Sequence, residues 1–262
     1  MPRRKHIRGR CGGGGSVRLS GMPSASLIHV DARDLVSGSN YDPGTSRVSS
    51  WPCRNGSITF GQSTASKQPL YQATGFGSSP GVLFDGSDDI LFNTFSGMSN
   101  RPYSIVVGLR YTGGASNYHQ AAIGGSANGS AEGNSDNYYN GFGLQPTSPA
   151  GHADGLACYQ GPGYNRRGSQ VVGAASAVQS FACSWTYEGG TNVCFVSKMG
   201  ESASITSTLN DIDVSQTMQS MSIGQYNANT LEGQITEARV WAKALSQNEI
   251  NRATRVMNGR LA

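Results

Sequence analysis

Carboxylates crowd most tightly at Asp85, Asp88 and Asp89, three acids within five positions of the run PGVLFDGSDDILF, residues 80–92. An apolar β-prone triplet, Val82-Leu83-Phe84, enters the turn signal Asp85-Gly86, and a second triplet, Ile90-Leu91-Phe92, leaves it. Calcium takes six to eight oxygens, of which three aspartates could supply two or three. The simpler expectation is that Asp85 caps the turn through its backbone amides and that Asp89 lies on a solvent face. That reading is preferred, so no metal and no cofactor are expected, with calcium at Asp85, Asp88 and Asp89 as the alternative.

Catalysis needs carboxylates that can meet. Retaining glycosidases hold two of them roughly 5 Å apart. Glu232 and Glu237 are separated by an odd number of residues, so a regular strand would point them to opposite faces. His29, His119 and His152 accompany no nucleophile motif such as G-x-S-x-G. The five cysteines (11, 53, 158, 183 and 194) form an odd set without CxxC spacing, which indicates neither zinc nor a disulfide framework. Cys183 and Cys194 flank a hairpin turn and could face each other, but buried free thiols are the expectation. No enzyme is expected.

Binding has two candidate regions. Between Gly113 and Arg167 the sequence is loop-like for long runs and holds five of the eleven tyrosines. Tyr138-Tyr139, and Tyr164 followed by Asn165 and Arg166, set flat apolar faces beside amides and charge, a mixture suited to stacking on a sugar ring and bonding its hydroxyls. Packing against neighbouring subunits or against their own sheet is the competing reading. The second region is the start of the chain. Arg3, Arg4, Lys5, Arg8, Arg10 and Arg18 hold six of the twenty basic residues, and no acid precedes Asp31. Without them, fourteen bases face sixteen acids, so a near-neutral body carries a cationic, Gly-rich arm. Such a segment is expected to be disordered alone and ordered only in a partner's groove. It lacks the apolar stretch of a signal peptide, and no segment reaches the roughly 20 apolar residues of a membrane span.

The elements that must position these residues are mostly strands. Glycine is abundant (36), charge is sparse (14%), and strand signals begin at Leu27-Ile28-His29-Val30 and recur through residues 233–242. Tyr103–Tyr111 is the most apolar and should be central. Trp51, Trp185 and Trp241 lie in strand contexts and are expected in the core. One helix is signalled near the end: Ser246 and Glu249 form a capping box, Leu245 and Ile250 a staple, and Gly259 a stop. A dozen short strands with almost no helix predict two packed antiparallel sheets.

The segments LIHVDARDL, VSSWPCRNG, KQPLY, PGVLFDGSDDIL, YSIVVGLRY and GQITEARVWAKALSQNEI follow one another at suitable distances. In that order they resemble the concanavalin A-like lectin/glucanase superfamily, in its laminin G-like jelly-roll branch, over about residues 25–258. The resemblance implies an all-β, two-sheet antiparallel sandwich with a short C-terminal helix. Glucanases of that fold carry an E-x-D-x-x-E strand, which this chain lacks. Related sequences commonly read W-x-D where this chain has Trp51-Pro52-Cys53, which weakens any family-type polar site there.

Residues 1–24 are thus expected to be a docking arm and 25–262 a jelly-roll domain. A lectin-like sandwich with an assembly arm resembles accessory proteins of tailed-phage virions: a head decoration, a head fibre or a tail-associated receptor binder. That context implies virion proteins as partners, a homo-oligomer, a surface glycan as ligand, synthesis in the host cytoplasm and residence on the virion. The alternatives are a carbohydrate-binding module of a cellular surface protein, and a viral coat protein whose arm contacts nucleic acid.

Overall fold

The computed structural model describes residues 22–23, 26–56, 58–76, 78–99, 103–111, 122–126, 141–145, 155–160, 166–171, 179–188, 191–198, 201–207, 217–226 and 229–261. Eighteen strands occur among them. The first seven are β1 (Ile28–Asp31), β2 (Ser50–Pro52), β3 (Thr59–Gly61), β4 (Leu70–Phe76), β5 (Ser79–Asp85), β6 (Leu91–Ser99) and β7 (Tyr103–Tyr111). The next seven are β8 (Ile123–Ser126), β9 (Gly141–Gln145), β10 (Gly155–Gln160), β11 (Arg166–Val171), β12 (Gln179–Glu188), β13 (Thr191–Lys198) and β14 (Glu201–Ser207). β15 (Thr217–Ile223), β16 (Gln225–Tyr226), β17 (Asn229–Thr230) and β18 (Glu232–Trp241) precede the helix α1 (Gln247–Leu261).

The strands form two antiparallel sheets and a small hairpin, β16–β17. One sheet runs β14-β13-β12-β7-β18-β5-β4, and the other β11-β10-β9-β8-β15-β6-β3-β2. β18 is shared along its length: Glu232–Ile235 pair with β5, while Glu237–Val240 pair with β1. The expected all-β sandwich with one C-terminal helix is what the chain adopts.

The main core lies between the sheets. Alternate residues of β7, namely Tyr103, Ile105, Val107 and Leu109, enter it with Ile28, Val30, Trp51, Phe60, Val82, Phe84 and Ile223. β7 is apolar on both faces because Val106, on its other side, joins Trp241, Leu245, Ile250, Ala253 and Met257 under α1. Ser104, also on that side, is held by accepting from Leu245 N (2.8 Å) and donating to Lys243 O (2.9 Å).

The capping box at the start of α1 is present: Glu249 accepts from Ser246 N at 2.8 Å, and Ser246 Oγ accepts from Glu249 N at 3.3 Å. Those bonds hold the Glu249 carboxyl below its ordinary value. The stop expected at Gly259 is not used. The helix runs on to Leu261, since Gly259 sits exposed in helical conformation and costs only about 1 kcal/mol there.

Three strands, β4, β8 and the two-residue β17, lacked a sequence signal, and β2 had only Trp51. β2 is a three-residue edge strand containing proline, β4 is an edge strand with a register shift between Gln72 and Phe76, and β8 reads IGGS. Pairing to neighbours, rather than propensity, makes them strands. Cys183 lies opposite Val196 and Cys194 opposite Trp185, so the two cysteines are staggered by two positions and do not face each other across the hairpin.

Candidate functional site

Three groups of residues could carry function among those described. The first arises from period-2 spacing. In His29-Val30-Asp31, Val30 points into the core, leaving His29 and Asp31 on the outer face of the sheet. Their register partners on β18 are Arg239 and Glu237. A bulge on β18 sets this face: Ile235 lies opposite Leu109 and Glu237 opposite Gly108, with Thr236 inserted between them. Ile235 and Ala238 consequently both enter the core, and the strand's parity is reversed beyond Thr236.

That bulge corrects the expectation for Glu232 and Glu237. They share the outer face after all, but some four strand positions, roughly 13 Å, still separate them. They cannot form a retaining pair.

Asp31 and Glu237 are much closer. Nitrogen and oxygen atoms of His29, Asp31 and Glu237 lie within 4.8 Å of one another, a donor set and spacing that a divalent metal or a glycosidase could use. The surrounding arginines decide otherwise. Glu237 is bonded by His29 Nε2 at 3.0 Å, Arg33 at 2.8 Å and Arg239 Nε at 2.7 Å. Asp31 accepts from Arg33 Nε at 2.7 Å and from the Arg33 amide at 3.0 Å, and pairs with Arg54 at 3.0 Å. Arg54 also binds Asp34 at 2.8 Å. Three arginines thus balance three carboxylates, and the side chains of Asp31 and Glu237 are 0% and 1% exposed. Neither acid can reach a substrate, and a metal would have to displace guanidinium groups. Hydrogen bonds donated to Asp31 and Asp34 raise the Arg33 and Arg54 pKa values further, so both stay charged.

This network was missed in the sequence. Its signal was there: ionisable residues at 29, 31 and 33 alternate with apolar ones, and Glu237 and Arg239 do the same. Cys53 is buried beside Arg54, and burial pushes its thiol up to about 11. It remains a neutral core residue.

The second group is the acidic turn. Asp85 does cap it: Oδ1 accepts from Ser87 N at 2.8 Å and, more weakly, from Asp88 N at 3.4 Å. Gly86 is required, with φ of 79° and a Cβ that would stand 2.8 Å from Glu232 Cβ. Asp89 departs from expectation. It is buried, not on a solvent face, and its Oδ2 accepts from Asp85 N at 3.0 Å. Burial first, and the Asp85 charge second, push its carboxyl up to about 6.

The third group is the loop between β1 and β2, which runs along the edge strand β4. Its backbone binds the edge strand β4 and the approach to it, through Tyr71 N to Ser46 O (2.7 Å) and Val48 N to Pro69 O (2.8 Å). Tyr41 stacks on Tyr71, with centroids 4.3 Å apart and planes 17° from parallel. Gly38, Ser39, Tyr41, Asp42, Pro43 and Ser49 line an open recess of about 360 Å³.

Of the residues expected to bind glycan, Tyr138, Tyr139, Tyr164 and Asn165 lie outside the described residues, and Arg166 is described only as the first position of β11. Arg3, Arg4, Lys5, Arg8, Arg10 and Arg18 lie outside them as well. Trp51 and Trp241 are core residues, each 0% exposed. No helix among the described residues is long and apolar enough to cross a membrane.

No protein-family model and no curated protein matches the chain. Solved structures do. Trypanosoma rangeli sialidase, in complex with a difluoro-KDN, matches at 8% identity and a TM-score of 0.53, over 91% of this chain and 33% of that one. A GH54 α-L-arabinofuranosidase matches at 11% identity and a TM-score of 0.53, over 88% of this chain and 59% of that one. The chain thus spans about a third of the sialidase and under two thirds of the arabinofuranosidase. The CBM40 of Ruminococcus gnavus IT-sialidase, bound to α2,3-sialyllactose, matches at 14% identity and a TM-score of 0.47, over 66% and 96%. At these identities the likeness concerns architecture alone: the chain has a lectin-like jelly-roll β-sandwich fold.

Proposed function

We propose that this chain is a carbohydrate-binding jelly-roll domain that binds saccharides without cleaving them. One observation carries the reading. Asp31 and Glu237, close enough for glycosidase chemistry, are buried and neutralised by Arg33, Arg54 and Arg239, whereas the surface beside β2 offers an open recess with an aromatic wall and hydroxyl groups. The fold and the tyrosine-rich stretch 113–167 support the same assignment. The test is a glycan array probed with the full chain, followed by incubation of each bound glycan with the protein and chromatography of the products. Binding with intact glycans is expected. Hydrolysis of a bound glycan, or no binding across the array, would overturn the reading.

The finer proposal is that residues 1–24 tether the domain to a larger particle of the tailed-phage virion type. Six cations in the arm support it. Its point of departure adds to this: Pro23 is buried, and Met22 packs on the cluster formed by Trp241, Leu245 and α1. Met22 is thus placed beside the helix. Deleting residues 1–21, which keeps Met22 and Pro23, should give a folded domain that no longer joins its particle. Incorporation at normal occupancy would refute the tether.

A further inference from the structure

The loop 36–49 is built more rigidly than an exposed connection requires. Asn40 ties both ends together: its Oδ1 accepts from Val36 N (2.9 Å), its Nδ2 donates to Ser50 Oγ (3.0 Å), and its carbonyl accepts from Ser49 N (3.0 Å) and Ser50 N (3.2 Å). Gly38 N donates to Tyr41 O at 2.8 Å, Asp42 N to Arg47 O at 3.0 Å, and Ser46 N to Asp42 O at 2.7 Å. Ser46 holds a φ of 61°, the one left-handed non-glycine among the described residues. Such strain persists only where surrounding bonds over-determine the backbone, and it concentrates at ligand clamps. A loop fixed in this way has lost its ordering entropy before a ligand arrives.

What it fixes is a concave surface. The recess of about 360 Å³ lies within the range of small-molecule sites. One face of the Tyr41 ring is covered by Tyr71 and the side chain also packs on the core, so the part that lines the recess is a stiffened apolar wall. Ser39 and Ser49 are exposed and bring hydroxyl groups to the rim, the Ser49 hydroxyl donating weakly to Asn40 O (3.4 Å) and keeping its acceptor side for a ligand. Asp42 spends Oδ1 on Gly44 N (2.6 Å) and Thr45 N (3.2 Å), which leaves Oδ2 of an exposed carboxylate to accept from ligand hydroxyls. An aromatic wall, two hydroxyls and one acceptor-only carboxylate match the apolar face and the hydroxyl edge of a sugar ring. The lining contains no cation, so an anionic sugar would meet Asp42 unopposed.

We infer that the recess between Gly38 and Ser49 is a subsite for one ring of a neutral saccharide, with Tyr41 as the stacking wall and Asp42, Ser39 and Ser49 as its hydroxyl partners. This rests on the carbohydrate-binding reading and assigns it a place and a ligand charge. The test uses the full chain on an array carrying neutral and sialylated glycans, then titration of the tightest-binding free trisaccharide followed by amide NMR. Neutral glycans should bind, with shifts at Gly38, Ser39 and Gly44. Tyr41→Ala should weaken binding about tenfold or more. Ser39→Trp, which fills the recess from an exposed position, should abolish binding with an unchanged melting temperature, and it decides the matter if Tyr41→Ala unfolds. Wild-type affinity in Ser39→Trp, or binding confined to sialylated glycans, would overturn the subsite and leave the domain's reading intact. An array on which the wild type binds nothing would overturn the reading itself.

Discussion

Two acidic clusters in this molecule solve the same problem in opposite ways. On β1 and β18, Asp31 and Glu237 are buried and every charge has a guanidinium or imidazole partner. At the turn after β5, Asp89 is also buried, but its neighbours are Asp85 and Asp88, and its partner is a neutral backbone amide. In the first cluster cations take the place of water around the acids. The second answers burial by holding its proton to about pH 6. Proximity of carboxylates therefore says little about function; the charge placed between them says more. In the first cluster both acids are buried, whereas in the second Asp85 and Asp88 are exposed and only Asp89 is buried.

The largest effect should come from breaking the compensated cluster. Glu237→Ala removes the carboxylate that His29, Arg33 and Arg239 share, and the loss of one member of a buried pair costs about 3–5 kcal/mol. Urea denaturation of the variant at neutral pH should show it. A loss under 1 kcal/mol would mean that water reaches these groups, and would return Asp31 and Glu237 to consideration as a substrate or metal site.

The next effect has the opposite sign. The unfolded chain releases the Asp89 proton near pH 4 and the native chain near pH 6, so the native state binds more protons in that window. Asp89 thus favours folding below about pH 4, and this contribution is lost as the pH rises to about 6. Asp89→Asn keeps an acceptor for the Asp85 amide and removes the charge. It should stabilise the protein on the order of 2 kcal/mol at neutral pH and have little effect below pH 4. Destabilisation at neutral pH, with a melting temperature of the wild type that rises on adding calcium and falls with EDTA, would instead make the turn a metal site.

The sandwich was legible in the sequence because its signals are local. Tyr103–Tyr111 is apolar at all but Ser104 and Arg110, as suits a central strand buried on both faces, and Ser246 and Glu249 announce a helix start that the bonds between them realise. What escaped was non-local. Nothing near Thr236 announces a bulge, because the inserted residue is defined by the partner strand, and the bulge alone decides that Glu232 and Glu237 share a face. Arg33 and Glu237, bonded at 2.8 Å, lie 204 positions apart. The recess was equally silent, since Tyr41, Asp42 and Ser49 fall in a stretch with no strand or helix period. Its shape comes from Asn40 and from backbone bonds to β4.

The smallest effect isolates the charge from the cap. Asp85 Oδ1 accepts the amides of Ser87 and Asp88, and asparagine at the same position offers an equivalent oxygen. Asp85→Asn should therefore change stability at neutral pH by only a few tenths of a kcal/mol, where Asp85→Ala, losing the cap, should cost about 1 kcal/mol. The charge leaves its trace on Asp89. Burial is the larger cause of the raised carboxyl and Asp85 the second, so removing one anion should lower the Asp89 pKa part of the way from about 6 towards its ordinary value. A carboxyl-carbon NMR titration reads this directly. A pKa that does not move would mean that burial alone acts on Asp89, and the contrast with the β1–β18 cluster would then be one of missing cations rather than of crowded anions. A pKa that falls the whole way would mean that crowding dominates and that Asp89 is better hydrated than its position suggests.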